Sequence, residues 1–322
     1  MILITGASGY LGGTLLARWQ SANLPPHSKL YALVRTPDQA NAVQKYGAEP
    51  LILDLSDYRR VTEAILEAGI TIIYFLIDAL TSKYQPAMIK ALGEVKKKTE
   101  KEVHFLYTTG AKQFSNHAGM PTDYPLLDTD PQLYELQRTV KAPYDFFEGI
   151  SRANVNVIDT AEANGVRSYI FAPCIVYGKG EGFGNQTSIQ DVAIVDAATW
   201  PVSHIIDTTT LYLQILRKIL SGDEIGHDKQ GFYLAASGTQ SLAKRGAIED
   251  EVVMQADEAD MARMGEALKT SSAAVPVFVG GKCLFTAEHG RQIGWEPQYP
   301  PEHILTAADD GVALILASFQ KD

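Results

Sequence analysis

The feature that most constrains this chain is an alternation of short apolar runs with helical patterns through its first 172 residues. Apolar runs at 1–5, 30–34, 50–53, 72–77, 103–108 and 166–172 read as strands. Between them, 11–21, 39–46, 61–67, 86–98 and 146–164 place apolar residues at helical spacing. The strands are apolar on both faces, as expected when helices cover a sheet from either side. Strand–helix alternation of this kind predicts a doubly wound parallel sheet with right-handed crossovers. Residues 114–143 interrupt the rhythm with turn residues and prolines and read as a long loop, a length that usually serves function.

After Pro173 the pattern changes. The glycine-rich YGKGEGFGNQ (177–186) is expected to lead into a helix. A strand at 203–206, a helix at 209–219, an acidic helix near 257–268, a short strand at PVFVG (276–280) and a final helix at 302–317 follow. The expected organisation is a larger unit over 1–172, with about 203–220 packed back onto its sheet, and a smaller α/β unit from 173–202 and 221–322. The connections at 198–199 and 238–241 are abrupt.

Composition narrows the function class. A chain of 322 residues with 46% hydrophobic and 20% charged residues suits a soluble globular protein with a substantial core. A formal charge of −10 disfavours nucleic-acid or anionic-membrane partners. Cys174 and Cys283 lie far apart without a CxxC, so neither a metal site nor a disulfide framework is expected, and a reducing cytoplasm fits. The longest clean apolar run, ITIIYFLI (70–77), is strand-sized and well short of the ~18 residues of a membrane span. The N-terminus has no basic leader and is better used as a first strand than as a signal peptide.

The opening MILITGASGYLGG carries the first chemistry. A strand meets a glycine turn and then a helix, the context in which a glycine triplet holds a dinucleotide pyrophosphate. Gly6 lets the chain bend, Gly9 lets phosphate approach the backbone, and Gly12 lets helix and strand pack closely. Gly6, Ser8, Gly9, Tyr10, Leu11 and Gly12 are therefore the expected phosphate cradle; a purely structural tight turn is the alternative. At the end of strand two, LVRT (33–36) has no acid before Asp38. Arg35 can meet a ribose 2′-phosphate, which favours NADP over NAD; otherwise it is a solvated surface arginine.

TGASGYLGG (5–13), LVR (33–35) and Asp54–Leu55 resemble the extended short-chain dehydrogenase/reductase superfamily, in its NAD-dependent epimerase/dehydratase group. Three later segments resemble it in the same order: APCIVYG (172–178), SHIID (203–207) and IGWEP (293–297). The wording is similar to that of a fungal NAD(P)-binding subgroup. The resemblance implies a Rossmann sheet with a smaller α/β C-terminal substrate domain, and a small-molecule substrate. It implies that Asp54 and Leu55 line the adenine, and that Pro173 and Ile175 touch the nicotinamide end. Thr108 is assigned to the cofactor as well, and a homodimer through the two long helices is allowed.

The family's catalytic Ser/Thr and YxxxK pair are not kept. In YDFFEGISRAN (144–154) the tyrosine is expected near 147–150 and the lysine near 151–154, and neither is present. Tyr144 is followed four residues on by Glu148, and Tyr134 by Arg138 within the loop. Asn154 is the candidate for the lysine's place near the ribose. YTTGAK (107–112) puts Thr109 or Gly110 at the usual hydroxyl position and Lys112 beside it. Thr109, Lys112 and Tyr177 are the candidate catalytic residues, each with a plain structural alternative; His204 reads as a core histidine before a catalyst. Three functions remain open. The first is an atypical NADP-dependent oxidoreductase on a small carbonyl or alcohol. The others are a non-catalytic NADP-binding redox sensor and a non-redox isomerase or epimerase with bound NADP.

Overall fold

The structure is a computed structural model that describes residues 1–188, 199–241, 256–268 and 270–319. Its first half alternates β1 (Ile2–Ile4), α1 (Tyr10–Arg18), β2 (Leu30–Val34), α2 (Pro37–Gln44), β3 (Glu49–Ile52), α3 (Tyr58–Ala68), β4 (Ile72–Phe75), α4 (Gln85–Thr99) and β5 (His104–Thr108). Then come β6 (Leu126–Leu127), α5 (Leu133–Thr139), α6 (Asp145–Ala163), β7 (Arg167–Pro173), β8 (Ile175–Tyr177), β9 (Thr199–His204), α7 (Ile205–Ser221), β10 (Phe232–Ala235) and β11 (Gly238–Ser241). The C-terminal part holds α8 (Glu258–Ala267), α9 (Val275–Val279), β12 (Phe285–Thr286), α10 (Glu288–Gln292), α11 (His303–Thr306) and α12 (Ala308–Phe319).

Seven strands form one sheet in the order β10-β7-β5-β4-β1-β2-β3, every pair parallel. This is the Rossmann arrangement expected from the alternation. Successive residues of each strand feed opposite layers. Ile73 and Phe75 join α3, α4 and α6 on one face. Ile72 and Tyr74 join α1, α2 and α7 on the other. The strand order reverses between β1 and β4, so the crevice beyond their carboxyl ends is where an open sheet of this kind takes a ligand.

Several expectations need correction. PVFVG lies on helix α9 and not on a strand. Pro276 cannot donate to a sheet ladder but fits a first helical turn, where its missing N–H is not needed. The loop predicted over 114–143 contains α5, whose Leu133, Tyr134 and Gln137 are buried at helical spacing; Pro131 and Pro143 bracket this helix and do not break it. Residues 232–235, within the range assigned to the smaller unit and without an expected strand, form β10, which pairs with β7 at the edge of the main sheet. In SHIID, the strand ends at His204 because its Nδ1 accepts from the Ile206 N–H at 3.3 Å and starts α7. The single helix predicted over 302–317 is two helices meeting at Ala307. The helix expected after YGKGEGFGNQ and the start of the connection at 198–199 fall on residues outside those described, whereas the abrupt stretch at 238–241 is strand β11, paired antiparallel with β9.

IGWEP is fastened to the N-terminus of α7. The Asp207 carboxylate is fully buried and accepts from the backbone N–H groups of Gln298 at 2.8 Å and Tyr299 at 3.0 Å. Trp295 Nε1 donates to the Asp207 carbonyl at 3.0 Å. Burial raises the Asp207 pKa and these backbone donors oppose the rise.

Candidate functional site

The glycine turn folds as its sequence requires. Gly6 has φ of +72°, and a Cβ there would sit 2.8 Å from the Leu76 carbonyl oxygen. A Cβ on Gly12 would lie 2.3 Å from the Gly6 carbonyl oxygen, so β1, its turn and α1 close up only with glycine at that position. The N-terminus of α1 opens directly on the turn, where backbone N–H groups and the helix dipole favour an anion.

Residues from two neighbouring strands gather around this turn. The exposed Arg35 follows β2, and its backbone N–H donates to Gln39 Oε1 at 2.9 Å. Gln39 Nε2 reaches Ser8 Oγ at 3.4 Å, so a residue that sequence reasoning passed over ties the β2 end to the turn. Leu53 N–H donates to the Val34 carbonyl at 3.3 Å, which brings Asp54 out beside Arg35. Asp54 accepts from the Ser56 N–H at 2.9 Å, and this bond lowers its pKa; Leu55 is half-buried against the core.

The glycine-rich segment after β8 lies against the same turn. Tyr10 Oη donates to the Gly178 carbonyl at 2.6 Å, and the Asn185 N–H donates to the Ser8 carbonyl at 3.0 Å. Glu181 takes both a 2.7 Å bond from Arg18 Nε and one of equal length from its terminal nitrogen. A Cβ on Gly184 would lie 2.1 Å from the Ser8 carbonyl oxygen, which explains the glycines of this segment by contact. Leu11 packs with Val176 and Ile206 beneath it.

A second feature lies past the end of β5. A cavity of about 220 Å³ is lined by Leu80, Gly110, Lys112, Gln113, Phe147 and Ile150, with Ala79 and Val277 completing its wall. Phe147 and Ile150 occupy the stretch in which the resemblance led a tyrosine to be expected, and that part of the wall is apolar. Lys112 donates to the Val277 carbonyl, and burial lowers its pKa. Thr109, beside Gly110, keeps its hydroxyl buried with no hydrogen-bond partner.

Other candidates stand elsewhere. The Thr108 hydroxyl pairs with Tyr212 Oη at 2.8 Å, on the α7 face of the sheet and away from the cavity. Asn154 is fully buried and donates to Gln137 Oε1 at 3.0 Å, between α6 and α5. Tyr134 Oη donates to Asp159 at 2.5 Å and serves the α5–α6 contact, whereas Arg138 pairs with Glu135 on the exposed face of α5. Tyr177 belongs to an aromatic cluster with His204 and His303, its hydroxyl 3.4 Å from His303 Nδ1. The His204 ring stacks 3.9 Å from that of Tyr299, and desolvation pushes its pKa down to about 4, so it stays neutral as a helix cap. Pro173 is buried at the end of β7, and Ile175 packs partly buried beside it on β8. Among the described residues no cluster of metal-ligating side chains occurs, and no helix is long and apolar enough to cross a membrane.

Residues 2–102 match the family model described as NAD dependent epimerase/dehydratase family. No curated protein matches the sequence. Solved structures share the fold at low identity. Vestitone reductase from alfalfa is 15% identical, with a TM-score of 0.61 over 96% of this chain and 97% of its own. UDP-glucose 4-epimerase of Thermotoga maritima, with UDP-glucose, is 11% identical, with a TM-score of 0.61 over 98% and 99%. The dTDP-glucose 4,6-dehydratase DesIV of Streptomyces venezuelae, a double mutant with NAD bound, is 10% identical, with a TM-score of 0.60 over 93% and 92%.

Proposed function

We propose that this protein, whose residues 2–102 match the NAD dependent epimerase/dehydratase family model and whose main sheet is Rossmann-like, is an NADP-dependent oxidoreductase acting on a small carbonyl or alcohol. The glycine turn supports a dinucleotide reading, because Gly6 and Gly12 let β1 and α1 close tightly enough to leave the N-terminus of α1 open on the turn. Gly9, Tyr10 and Leu11 would hold the pyrophosphate, Arg35 the 2′-phosphate, and Asp54 and Leu55 the adenine. A bound nicotinamide supplies or accepts the hydride.

The observation that carries the reading is a lysine in an otherwise largely apolar cavity at the carboxyl end of β5. Burial favours the neutral amine and lowers its pKa, which brings proton transfer closer to neutral pH. In the reduction direction Lys112 holds the carbonyl oxygen with an ammonium N–H and releases that proton to it as the alcohol forms. Thr109 lies beside the cavity-lining Gly110 but does not itself line the cavity, so Lys112 carries the proposed proton transfer. The cavity, at about 220 Å³, falls below the roughly 300–1,000 Å³ of drug-sized ligand pockets. That size favours a small substrate over a nucleotide sugar. The apolar side chains at Phe147 and Ile150 argue against an epimerase that needs tyrosine there. The test is stopped-flow absorbance of reduced NADP with small carbonyl compounds. Tight NADP binding without oxidation across the panel would favour a redox-sensing binding protein instead.

A further inference from the structure

Gln39 joins the two segments that a bound adenosine ribose lies between. It is the third residue of α2, half-buried, and its backbone N–H donates to Oγ1 of the N-cap Thr36 at 3.3 Å. Its side chain turns back past that cap. Oε1 accepts from the Arg35 N–H at 2.9 Å, just beyond the end of β2, and Nε2 reaches Ser8 Oγ in the glycine turn at 3.4 Å. The backbone donor of Arg35 settles which end of the amide is oxygen, since a flip would set two N–H groups face to face. In a Rossmann sheet the ribose lies between the end of the second strand and the glycine turn, and an acid at the strand end takes its 2′-hydroxyl. Here an amide touches both of those walls. Neither nearby acid makes the contact: Asp38 is exposed one position earlier, and Asp54 accepts from the Ser56 N–H.

The chemistry of an amide at this place differs from that of an acid. A carboxylate accepts from a ribose 2′-hydroxyl and repels a 2′-phosphate. A glutamine carries no charge, and its Nε2 has a second hydrogen besides the one directed at Ser8. We propose that Gln39 is a specificity-determining residue of the cofactor site. Its neutral amide admits a 2′-phosphate where a carboxylate excludes one, and its second Nε2 hydrogen donates to that phosphate beside Arg35. The bonds to Arg35 and Ser8 hold the amide in place before the cofactor arrives, so little side-chain freedom is lost on binding. This assignment rests on the dinucleotide reading above and names a residue that selects between NADP and NAD. The competing account is a cap alone, because glutamine at the third helical position often reaches back to the chain before the helix. A cap serves the fold of α2 and acts on both cofactors alike.

Fluorescence titration of the full chain with reduced NADP and with reduced NAD tests it in the wild type, Gln39→Glu and Gln39→Leu. Gln39→Glu keeps the shape and adds a charge. Reduced NADP then binds about 10- to 100-fold more weakly, reduced NAD binds as well as before or better, and the NADP-to-NAD affinity ratio falls by about tenfold or more. Gln39→Leu removes the donor without adding charge, and the same ratio falls about three- to tenfold. Urea unfolding without cofactor establishes that each variant is folded under the assay conditions. If Gln39→Glu does not fold, Gln39→Leu decides. A ratio that keeps its wild-type value in the folded variants, or equal weakening of both cofactors, is the mark of a cap and overturns the assignment. The two levels fail separately. A wild type that prefers reduced NAD refutes the NADP reading, and a ratio that still falls in Gln39→Glu then leaves the assignment of Gln39 standing. A wild type that binds neither cofactor overturns both.

Discussion

Lys112→Met is the perturbation that most sharply divides a catalytic from a packing role for the cavity lysine. Methionine keeps much of the side-chain volume and removes the donor and its charge. The lost interaction is one hydrogen bond from a charged group to the carbonyl oxygen, worth about 1.5–3 kcal/mol, so kcat/KM falls about 10- to 100-fold. The same change leaves the Val277 carbonyl without its lysine donor, at about 1–3 kcal/mol of stability. Removal of a desolvated amine works the other way. Because burial lowers the folded pKa of Lys112, the folded state binds fewer protons than the unfolded state at alkaline pH. Stability carried by this group therefore rises as pH climbs from the folded pKa towards the ordinary lysine value. Activity moves oppositely: the ammonium is the working form, so the wild type loses rate as pH rises through the depressed pKa. Lys112→Met lacks that limb. The assays are steady-state kcat/KM against pH and urea unfolding of both proteins. A variant with wild-type kcat/KM, or one that keeps the alkaline limb, refutes the role of Lys112.

Three further outcomes follow from the geometry. Arg35→Glu weakens NADP binding about 10- to 100-fold while NAD changes less, read by fluorescence titration of the reduced cofactors; loss of a charge-assisted contact and a new repulsion both act on the 2′-phosphate. Gly12→Ala forces a Cβ to within 2.3 Å of the Gly6 carbonyl oxygen and lowers the unfolding free energy by about 1–3 kcal/mol, with loss of dinucleotide binding. Asp128 is buried and accepts from the Leu234 and His289 N–H groups; desolvation outweighs these bonds and raises its pKa to about 6. Its folded form holds a proton longer than the unfolded chain, so its contribution to stability falls as pH rises from about 4 to about 6. In urea unfolding across that window, Asp128→Asn removes this share of the pH slope.

The parts of the fold legible in the sequence are those where local chemistry and tertiary position agree. Met1–Gly13 states strand, turn and helix within one stretch, and Gly6 and Gly12 sit where a Cβ has no room. The two-sided apolar runs at β4 and β5 announce central parallel strands because both layers of the core press on them. Helix α9 was misread because five apolar, largely β-branched residues carry no period, and the proline at its start served a helix and not a loop. Helix α5 was hidden by flanking prolines. At the site, Lys112 was visible as an odd residue after β5, whereas Gln113, Gln137 and Asn154 act through contacts between segments 24 and 17 residues apart. No pattern of residue types signals such an amide chain. Thr108 ends β5, and its hydroxyl pairs with Tyr212 on the α7 face, a contact 104 residues away that no local pattern signals.

The central claim is that the cavity at the end of β5 is a hydride-transfer site. Single-turnover stopped-flow, with reduced NADP bound and each of a panel of small carbonyl compounds added, tests it most directly. The account predicts loss of the reduced-nicotinamide absorbance with stoichiometric formation of the alcohol, slowed in Lys112→Met. Tight cofactor binding with unchanged absorbance across the panel would contradict it.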